Sequence, residues 1–291
     1  MPSMTVTERR IAATFTMYAL DYLNAPDRRA MVRAARAKYN EIRADLGLNP
    51  GGYMFTKPES QPKMGKSERY TLILHLLPHK MAGVGNLCPS STKGCRANCL
   101  EHSGHGVMDS VKAGRLARTV FMHTYPGSAA VLITHELTLA LARHQDLGVR
   151  LNGTSDLRWE LISPEWMRQM GYLGVTFYDY TKFSPHLRMA DYHLTYSAHE
   201  DRTPTEWAQM VLDGYNVAAV VRHPSHLIPE VVNLGGIEVP TINGDISDDR
   251  TQDKPGHLVV LYPKGPRIWS DLSGFTFDYS PDSNMLTPHV A

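Results

Sequence analysis

The chain has 291 residues, with 30 Lys and Arg residues against 29 Asp and Glu residues, 14 His and three Cys. A chain of this length buries a large core, as one big α/β domain or as two smaller domains. The formal net charge of +1 does not indicate a nucleic-acid partner, which would need a local basic patch. Because no stretch approaches the ~18 apolar residues of a membrane helix, we expect a cytoplasmic protein that does not enter the membrane.

Residues 1–66 are predicted to form a helical extension and a linker. Apolar residues recur at three- and four-residue spacing over residues 8–46, with a break at residues 25–27. The basic residues that interleave with the second half of this pattern are Arg28, Arg29, Arg33, Arg36, Lys38 and Arg43. A phosphate-binding face and a solvated helix face both explain them, and we favour the solvated face.

Short segments rich in β-branched and aromatic residues then predict a series of strands. These segments are residues 70–76, 149–153, 174–179, 192–197, 217–222, 237–243 and 258–262. Helices fit between several of them, such as the segment over residues 129–147 and the two that Ser163-Pro164-Glu165 and Thr203-Pro204-Thr205-Glu206 open with capping signals. The alternation of strands and helices predicts an α/β fold with a parallel sheet.

The length of this region favours a partial or closed (β/α) TIM-like barrel over residues 67–270, followed by a C-terminal tail over residues 271–291. A doubly wound open sheet is the alternative. Polar residues directly after the predicted strands favour the barrel, because the carboxyl ends of barrel strands meet at one mouth. They include Asn152, Asp156, Asp179, Lys182, Arg222, Asn243, Asp245 and Lys264. Turn chemistry accounts for Asn and Asp at such positions, but poorly for Lys and Arg.

All three cysteines lie in one loop, residues 86–106, in the pattern C-x6-C-x3-C formed by Cys88, Cys95 and Cys99. A disulfide framework explains this cluster poorly, because the expected compartment is reducing and one thiol would be left over. Cys95 and Cys99 are four residues apart, which places both sulfurs on one face of a helical turn. Three thiolates held around one point predict a metal centre.

Two metal centres suit three thiolates. A zinc site would recruit His102 or His105 as its fourth ligand and would act as a structural staple. A [4Fe-4S] cluster would leave one iron for a ligand other than cysteine, such as Asp156, Asp245, His105, water, a substrate or a cofactor. We favour the cluster, because a chain with a large core hardly needs a zinc staple and the loop lies at the predicted catalytic face.

These motifs carry a resemblance to a known family. The cysteine loop, with the runs VRLNGTSDLRWE, FYDYTK, YHLTYSAHED and NGDISDDRTQDKPGHLVVLYPKG, resembles the bacteriophage gene product 88 family over roughly residues 68–266. The family has been defined largely by sequence. The resemblance therefore implies a phage origin, the cytoplasm of a host cell and a shared site that includes the three cysteines, more than it implies an activity.

A more distant resemblance is to radical S-adenosylmethionine enzymes. Those enzymes hold a [4Fe-4S] cluster with three cysteines after the first strand of a partial barrel. Their usual spacing is C-x3-C-x2-C, which differs from the C-x6-C-x3-C pattern of this chain. This resemblance implies S-adenosylmethionine as a second cofactor beside the cluster.

Two functional hypotheses follow. In the first, the chain is a redox or radical enzyme whose cluster lies at the barrel mouth, beside groups that position a small-molecule substrate or cofactor. The candidate catalytic residues are Asp179, Lys182 and Arg222, and the candidate binding residues are Asn152, Asp156, Asn243 and Asp245. In the second, a cluster or a zinc ion is a structural or sensing element of a binding protein without turnover. Two roles are open for Lys182, a Schiff base and a salt bridge to Asp179 or Asp156. We favour the salt bridge.

Overall fold

The computed structural model describes residues 3–60, 69–183, 192–223 and 229–291. The chain forms two compact units. The first consists of Met1–Pro89, Val107–Tyr178 and Leu187–Tyr192, and the second of Ser90–Gly106, Asp179–His186 and His193–Ala291.

The first unit begins with two helices, α1 (Val6–Asn24) and α2 (Arg28–Asp45). Thr5 and Glu8 form a capping box at the start of α1, and Asp27 caps α2. The predicted pair of N-terminal helices is confirmed. Within the described part of the chain, no helix is both long enough and apolar enough to cross a membrane.

The sheet of the first unit contains β1 (Phe55–Thr56), β2 (Tyr70–Leu74), β3 (Leu147–Arg150) and the start of β4 (Val175–Thr181). Strand β1 is antiparallel to β2, whereas β2, β3 and β4 are parallel neighbours. The helices that connect the parallel strands are α4 (Asp109–Thr124), α5 (Pro126–Leu141), α6 (Trp159–Ile162) and α7 (Pro164–Tyr172). This part of the chain has the predicted alternation of strands and helices.

An aromatic cluster fixes α1 in the core of the first unit. The ring of Phe15 lies 5.2 Å from the rings of both Trp159 and Trp166, and all three side chains are fully buried. The indole N–H of Trp166 donates to the Thr134 hydroxyl at 3.0 Å. Burial of each such ring contributes about 2 kcal/mol, so this cluster is a main source of stability for the unit.

The second unit contains the end of β4 and seven further strands. They are β5 (Tyr192–Ser197), β6 (Val217–Arg222), β7 (Val231–Leu234), β8 (Ile237–Asn243), β9 (Leu258–Leu261), β10 (Ser273–Ser280) and β11 (Met285–Val290). Six strands close into a barrel in the order β6, β10, β11, β7, β8, β9 and back to β6. The helices of this unit are α3 (Lys93–Ala97), α8 (Pro204–Leu212) and α9 (Pro266–Trp269).

The closed barrel corrects the predicted (β/α) TIM-like barrel, since it has six strands of mixed direction. Two hairpins cause the difference, because a tight turn reverses the chain where a parallel series needs a crossover helix. Strands β7 and β8 pair antiparallel across the two-residue turn Gly235-Gly236, in which both residues have positive φ. Strands β10 and β11 also pair antiparallel. The segment predicted to be a tail, residues 271–291, therefore supplies two barrel strands.

Strand β6 is hydrogen-bonded to neighbouring strands along both of its edges. On one edge, the stretch from Val217 to Val220 pairs with β9. On the other edge, Val217 and Ala218 pair with β5, whereas Val220 to Arg222 pair with β10. Alternate side chains of β6, including Val217, Ala219 and Val221, are buried in the core of the barrel.

Candidate functional site

The predicted cysteine loop contributes to both units. Cys88 belongs to the first unit, whereas Cys95 and Cys99 belong to the second. All three lie in the described part of the chain, where none forms a disulfide and each is partly exposed. The surroundings of the thiols are therefore described unit by unit.

In the first unit, Cys88 contacts the loop that follows β3. The backbone N–H of His79 donates to the Cys88 sulfur at 3.2 Å, and this sulfur lies 3.8 Å from the carbonyl oxygen of Thr154. The backbone N–H of Asp156 donates to the carbonyl oxygen of Leu87 at 2.8 Å. The Cys88 sulfur therefore lies between a backbone N–H and a backbone carbonyl of the first unit, and metal binding would require its thiolate form.

The two predicted binding residues of the first unit, Asn152 and Asp156, lie in this same loop. The Asn152 amide donates to the Leu157 carbonyl at 2.8 Å and accepts from the Leu157 N–H at 3.0 Å and from the Ser155 hydroxyl at 2.9 Å. Asn152 thus holds the shape of the loop. Asp156 is buried, and burial together with the Asp156 charge raises the pKa of Glu160 to about 7.

In the second unit, Cys95 lies within α3 and Cys99 begins the short 3-10 turn that follows it. The Thr92 hydroxyl caps α3 by accepting from the Cys95 N–H at 3.1 Å. Glu200, three residues after β5, accepts from the Gly94 N–H at 2.5 Å and from the Thr92 hydroxyl at 2.8 Å. A carboxylate also interacts favourably with the amino end of a helix. Glu200 therefore fixes the helix that carries Cys95.

The predicted catalytic residues Asp179 and Lys182 lie at the end of β4, where Asp179 is fully buried. The Lys182 ammonium donates to the Ser197 hydroxyl at 2.5 Å and lies 5.3 Å from the centre of the Phe275 ring. Gly94 of α3 packs on the same phenylalanine, since a Cβ added there would lie 2.7 Å from the Phe275 Cβ. In the second unit, Lys182 and helix α3 thus both lie against the Phe275 side chain.

Glu200 and its neighbour His199 belong to the polar run that follows β5, but neither was predicted as a site residue. The His199 ring packs edge-on against Trp207 at 5.0 Å, and its Nδ1 accepts from the Asp201 N–H at 3.3 Å. Burial, followed by the positive charge of Lys182, lowers the pKa of His199 to about 4. The imidazole is therefore neutral at physiological pH. Their position in this polar run, residues 197–201, is the feature of the sequence from which both residues could have been chosen as candidates.

A small cavity of about 50 Å³ lies at the end of the barrel where β6, β8 and β9 finish. Its polar lining residues are His223, Asn243, Asp245, Tyr262 and Tyr279. The Asp245 carboxylate accepts from the Tyr262 N–H at 2.7 Å and lies 3.4 Å from the Lys264 ammonium. The other lining residues are almost all apolar. A cavity of this size admits a few water-sized groups, so it fits one polar end of a ligand and not a whole small molecule.

Arg222 lies at the same end of the barrel, on the last residue of β6. Its guanidinium is 3.7 Å from one oxygen of Asp278, whose other oxygen is 2.5 Å from Nδ1 of His289. The second unit therefore brings three of the predicted residues, Arg222, Asn243 and Asp245, to one barrel end. Their roles in catalysis and binding remain predictions.

The thiols of the cysteine loop are soft donors of the kind that iron and zinc prefer. Among the residues that the structure describes, no three His, Cys, Asp or Glu side chains are grouped closely enough to hold a metal ion. The identity of the metal and of a fourth ligand therefore remains a prediction from the spacing of the cysteines and from their surroundings within each unit.

A sequence model of the gene product 88 family matches residues 54–275. The chain belongs to the gene product 88 family. The family region includes the whole cysteine loop and strands β1 to β9, whereas α1, α2 and β11 lie outside it. No curated protein and no solved structure matches the chain. The expected resemblance to this family is confirmed, and the resemblance to radical S-adenosylmethionine enzymes remains a prediction.

Proposed function

We propose that this member of the gene product 88 family is a phage-encoded iron–sulfur protein in which Cys88, Cys95 and Cys99 hold a [4Fe-4S] cluster. The observation that carries the proposal is the set of three reduced thiols within twelve residues of the family region. The surroundings of the thiols support it. A backbone N–H donates to the Cys88 sulfur, and hydrogen bonds to sulfur are one means by which proteins tune such clusters.

Three thiols bind a cluster without a further protein ligand, whereas a structural zinc site would also need His102 or His105 as its fourth ligand. A cluster bound by three cysteines keeps one iron open to another ligand. The position of Cys95 is fixed by Thr92 and Glu200, which hold the start of α3. Ligands held in place before binding lower the entropic cost of binding.

The finer part of the proposal is a redox or radical activity on a small molecule. In the unit that holds Cys95 and Cys99, Lys182 supplies a cation and His199 a neutral imidazole. The barrel-end cavity with Asn243 and Asp245 would bind the polar groups of a substrate or of S-adenosylmethionine. The alternative is a protein whose cluster or zinc ion has a structural role without turnover.

The test begins with the full-length protein purified without oxygen. We expect a brown protein with a broad visible absorption band and about four iron and four sulfide per chain. Each of the variants Cys88→Ser, Cys95→Ser and Cys99→Ser should lose most of this iron. Lys93→Ala, which changes an exposed side chain of α3, is the matched control and should keep it. A colourless protein with one zinc per chain would show the cluster proposal to be wrong.

Electron paramagnetic resonance of the reduced protein separates an enzyme from a structural cluster. A spectrum that changes on addition of S-adenosylmethionine supports an open iron that binds this cofactor. A spectrum that does not change, together with a Lys182→Ala variant that keeps its full iron content, supports the alternative without turnover.

A further inference from the structure

The first unit contains a basic cleft that the proposed centre does not use. It lies on α2, beside α5, is open to solvent and has a volume of about 620 Å³. Its lining residues are Arg28, Arg29, Val32, Arg33, Arg36, Ala37, Asn40 and His135. We propose that this cleft binds the phosphodiester backbone of a nucleic acid.

The charge of the chain is concentrated on this helix. Helix α2 carries five Arg and one Lys but only one Glu and one Asp, in a chain whose net charge is +1. Arg29 and Arg33 are exposed and lie one turn apart, about 6 Å along the helix axis. Neither makes a hydrogen bond or an ion pair with another residue in the described part of the chain. Both guanidinium groups can therefore bind an incoming anion.

Other polar groups of the cleft are held in place. The Arg36 guanidinium donates to the Gly52 carbonyl at 2.5 Å and lies 3.6 Å from the Glu136 carboxylate. The Asn40 side-chain oxygen accepts from the Gly51 N–H at 2.9 Å, so its amino group can still donate. Burial, followed by the charge of Arg36, lowers the pKa of His135. The arginines therefore supply the positive charge of the cleft at neutral pH.

The residue types favour phosphate as the ligand. A planar guanidinium donates two parallel hydrogen bonds to phosphate oxygens, which makes arginine well suited to phosphate recognition. The arginines that line the cleft extend from Arg28 to Arg36, about 12 Å along the helix. A single phosphate group would leave most of this length unused, whereas the repeated phosphates of a polymer match it. Small exposed residues between the arginines also allow a polymer backbone to approach, and they are Ala30, Ala34 and Ala37.

The packing of α2 argues against an anionic membrane as the partner. A helix that binds a membrane surface inserts an apolar face between the lipids. The apolar face of α2 is already used, because Ala35 and Tyr39 are buried and the Tyr39 ring packs on Phe121 of α4 at 4.8 Å. The face that remains exposed is basic and suits a polyanion in solution.

The test is fluorescence anisotropy of the full-length protein with labelled 20-nucleotide single-stranded DNA, RNA of the same sequence and duplex DNA, in a series of salt concentrations. We expect binding that weakens as salt increases. The double variant Arg29→Gln with Arg33→Gln should raise Kd about tenfold or more and lower the salt slope by about two. The comparison of the three probes identifies the polymer.

The matched control is Arg168→Gln, which changes a half-exposed arginine on α7 of the same unit. It should leave Kd unchanged, and thermal melting should show that both proteins fold. Failure of all three nucleic acids to bind, or equal weakening by the control, would overturn the proposal. Tighter binding to phosphatidylserine vesicles than to any nucleic acid would overturn it as well. Iron content should not change in the arginine variants, so this test is independent of the proposed cluster.

Discussion

A buried ion pair joins Glu8 of α1 to Arg158, which precedes α6. The Glu8 carboxylate accepts from the Arg158 backbone N–H at 3.0 Å and from its guanidinium at 2.9 and 2.5 Å. Burial raises the pKa of Glu8, but hydrogen bonds from Arg158 and Thr5 and the charge of Arg158 outweigh burial and lower it from 4.5. A carboxylate whose pKa is lower in the folded state stabilises the fold above its unfolded pKa.

The substitution Glu8→Gln should therefore lower the free energy of unfolding by about 3–5 kcal/mol at pH 7, because it leaves a buried guanidinium without its charge partner. The loss relative to the parent should shrink as the pH falls below about 4.5, where the parent loses the same stabilisation. Urea unfolding across pH 3–7 measures both effects. Glu165→Gln, on the exposed surface of α7, should change the stability by less than about 0.5 kcal/mol.

Glu160 should show the opposite dependence on pH. Burial, and after it the Asp156 charge, raises the pKa of Glu160 to about 7, so the folded state binds a proton more tightly than the unfolded state does. Stability from this group is present below about pH 4.5 and decreases up to about pH 7. Glu160→Gln should therefore stabilise the protein at pH 8 by about 2–3 kcal/mol. Equal stability of parent and variant at pH 8 would contradict this assignment.

At the scale of elements, the turn between β7 and β8 fixes where the chain reverses. Gly235 and Gly236 both have positive φ, at 63° and 89°. They differ in their surroundings, because a Cβ on Gly235 would lie 2.4 Å from the Thr205 backbone nitrogen of α8, whereas a Cβ on Gly236 would meet nothing within 4 Å. The pair therefore separates backbone strain from a steric clash.

We predict that Gly236→Ala costs about 1 kcal/mol of stability from the left-handed backbone alone. Gly235→Ala should cost at least about 2 kcal/mol more, since α8 must also shift. Thermal or urea unfolding of the two variants measures the difference. Equal costs would show that contact with α8 does not constrain the turn.

Helix α3 illustrates how much of the site the sequence predicts. The spacing of Cys95 and Cys99 and the position of the loop after β2 are visible in the sequence. The carboxylate that holds this helix cannot be identified from the sequence, because Glu200 is separated from Gly94 by 106 positions. Its role arises only when the fold brings the end of β5 to the start of α3.

For the whole molecule, all seven strands predicted from local composition are present, as β2 to β6, β8 and β9. Strand β7 was not predicted. Strand β10 contains the alternating residues Phe275, Phe277 and Tyr279, yet one of its two partners is β6, about 55 residues earlier in the chain. Local patterns predict strands, whereas pairing over long separations decides direction and closure. The barrel therefore could not be told from a TIM-like barrel by periodicity alone.

Closure of the barrel gives a prediction at this scale. A protein that ends at residue 272 lacks β10 and β11 and leaves the edges of β6 and β7 without their barrel partners. It also lacks the buried residues Phe277 and Leu286 of the barrel core. We expect the second unit to lose cooperative unfolding in circular dichroism, with a tendency to aggregate through the open edges. Removal of Ala291 alone, which follows β11, should have no effect.

The pairing of β6 on both edges also determines how strongly its backbone amides are protected from hydrogen exchange with solvent. Its neighbours β5, β9 and β10 belong to three separate stretches of the chain. Because successive amides of β6 point to opposite edges, the strand as a whole exchanges its hydrogens with solvent only when several of these stretches separate, which amounts to global opening of the unit. Amide protons of Val217 to Val221 should outlast those of β7 and β8 in deuterium exchange. This strand is the part of the second unit that a local fluctuation does not open.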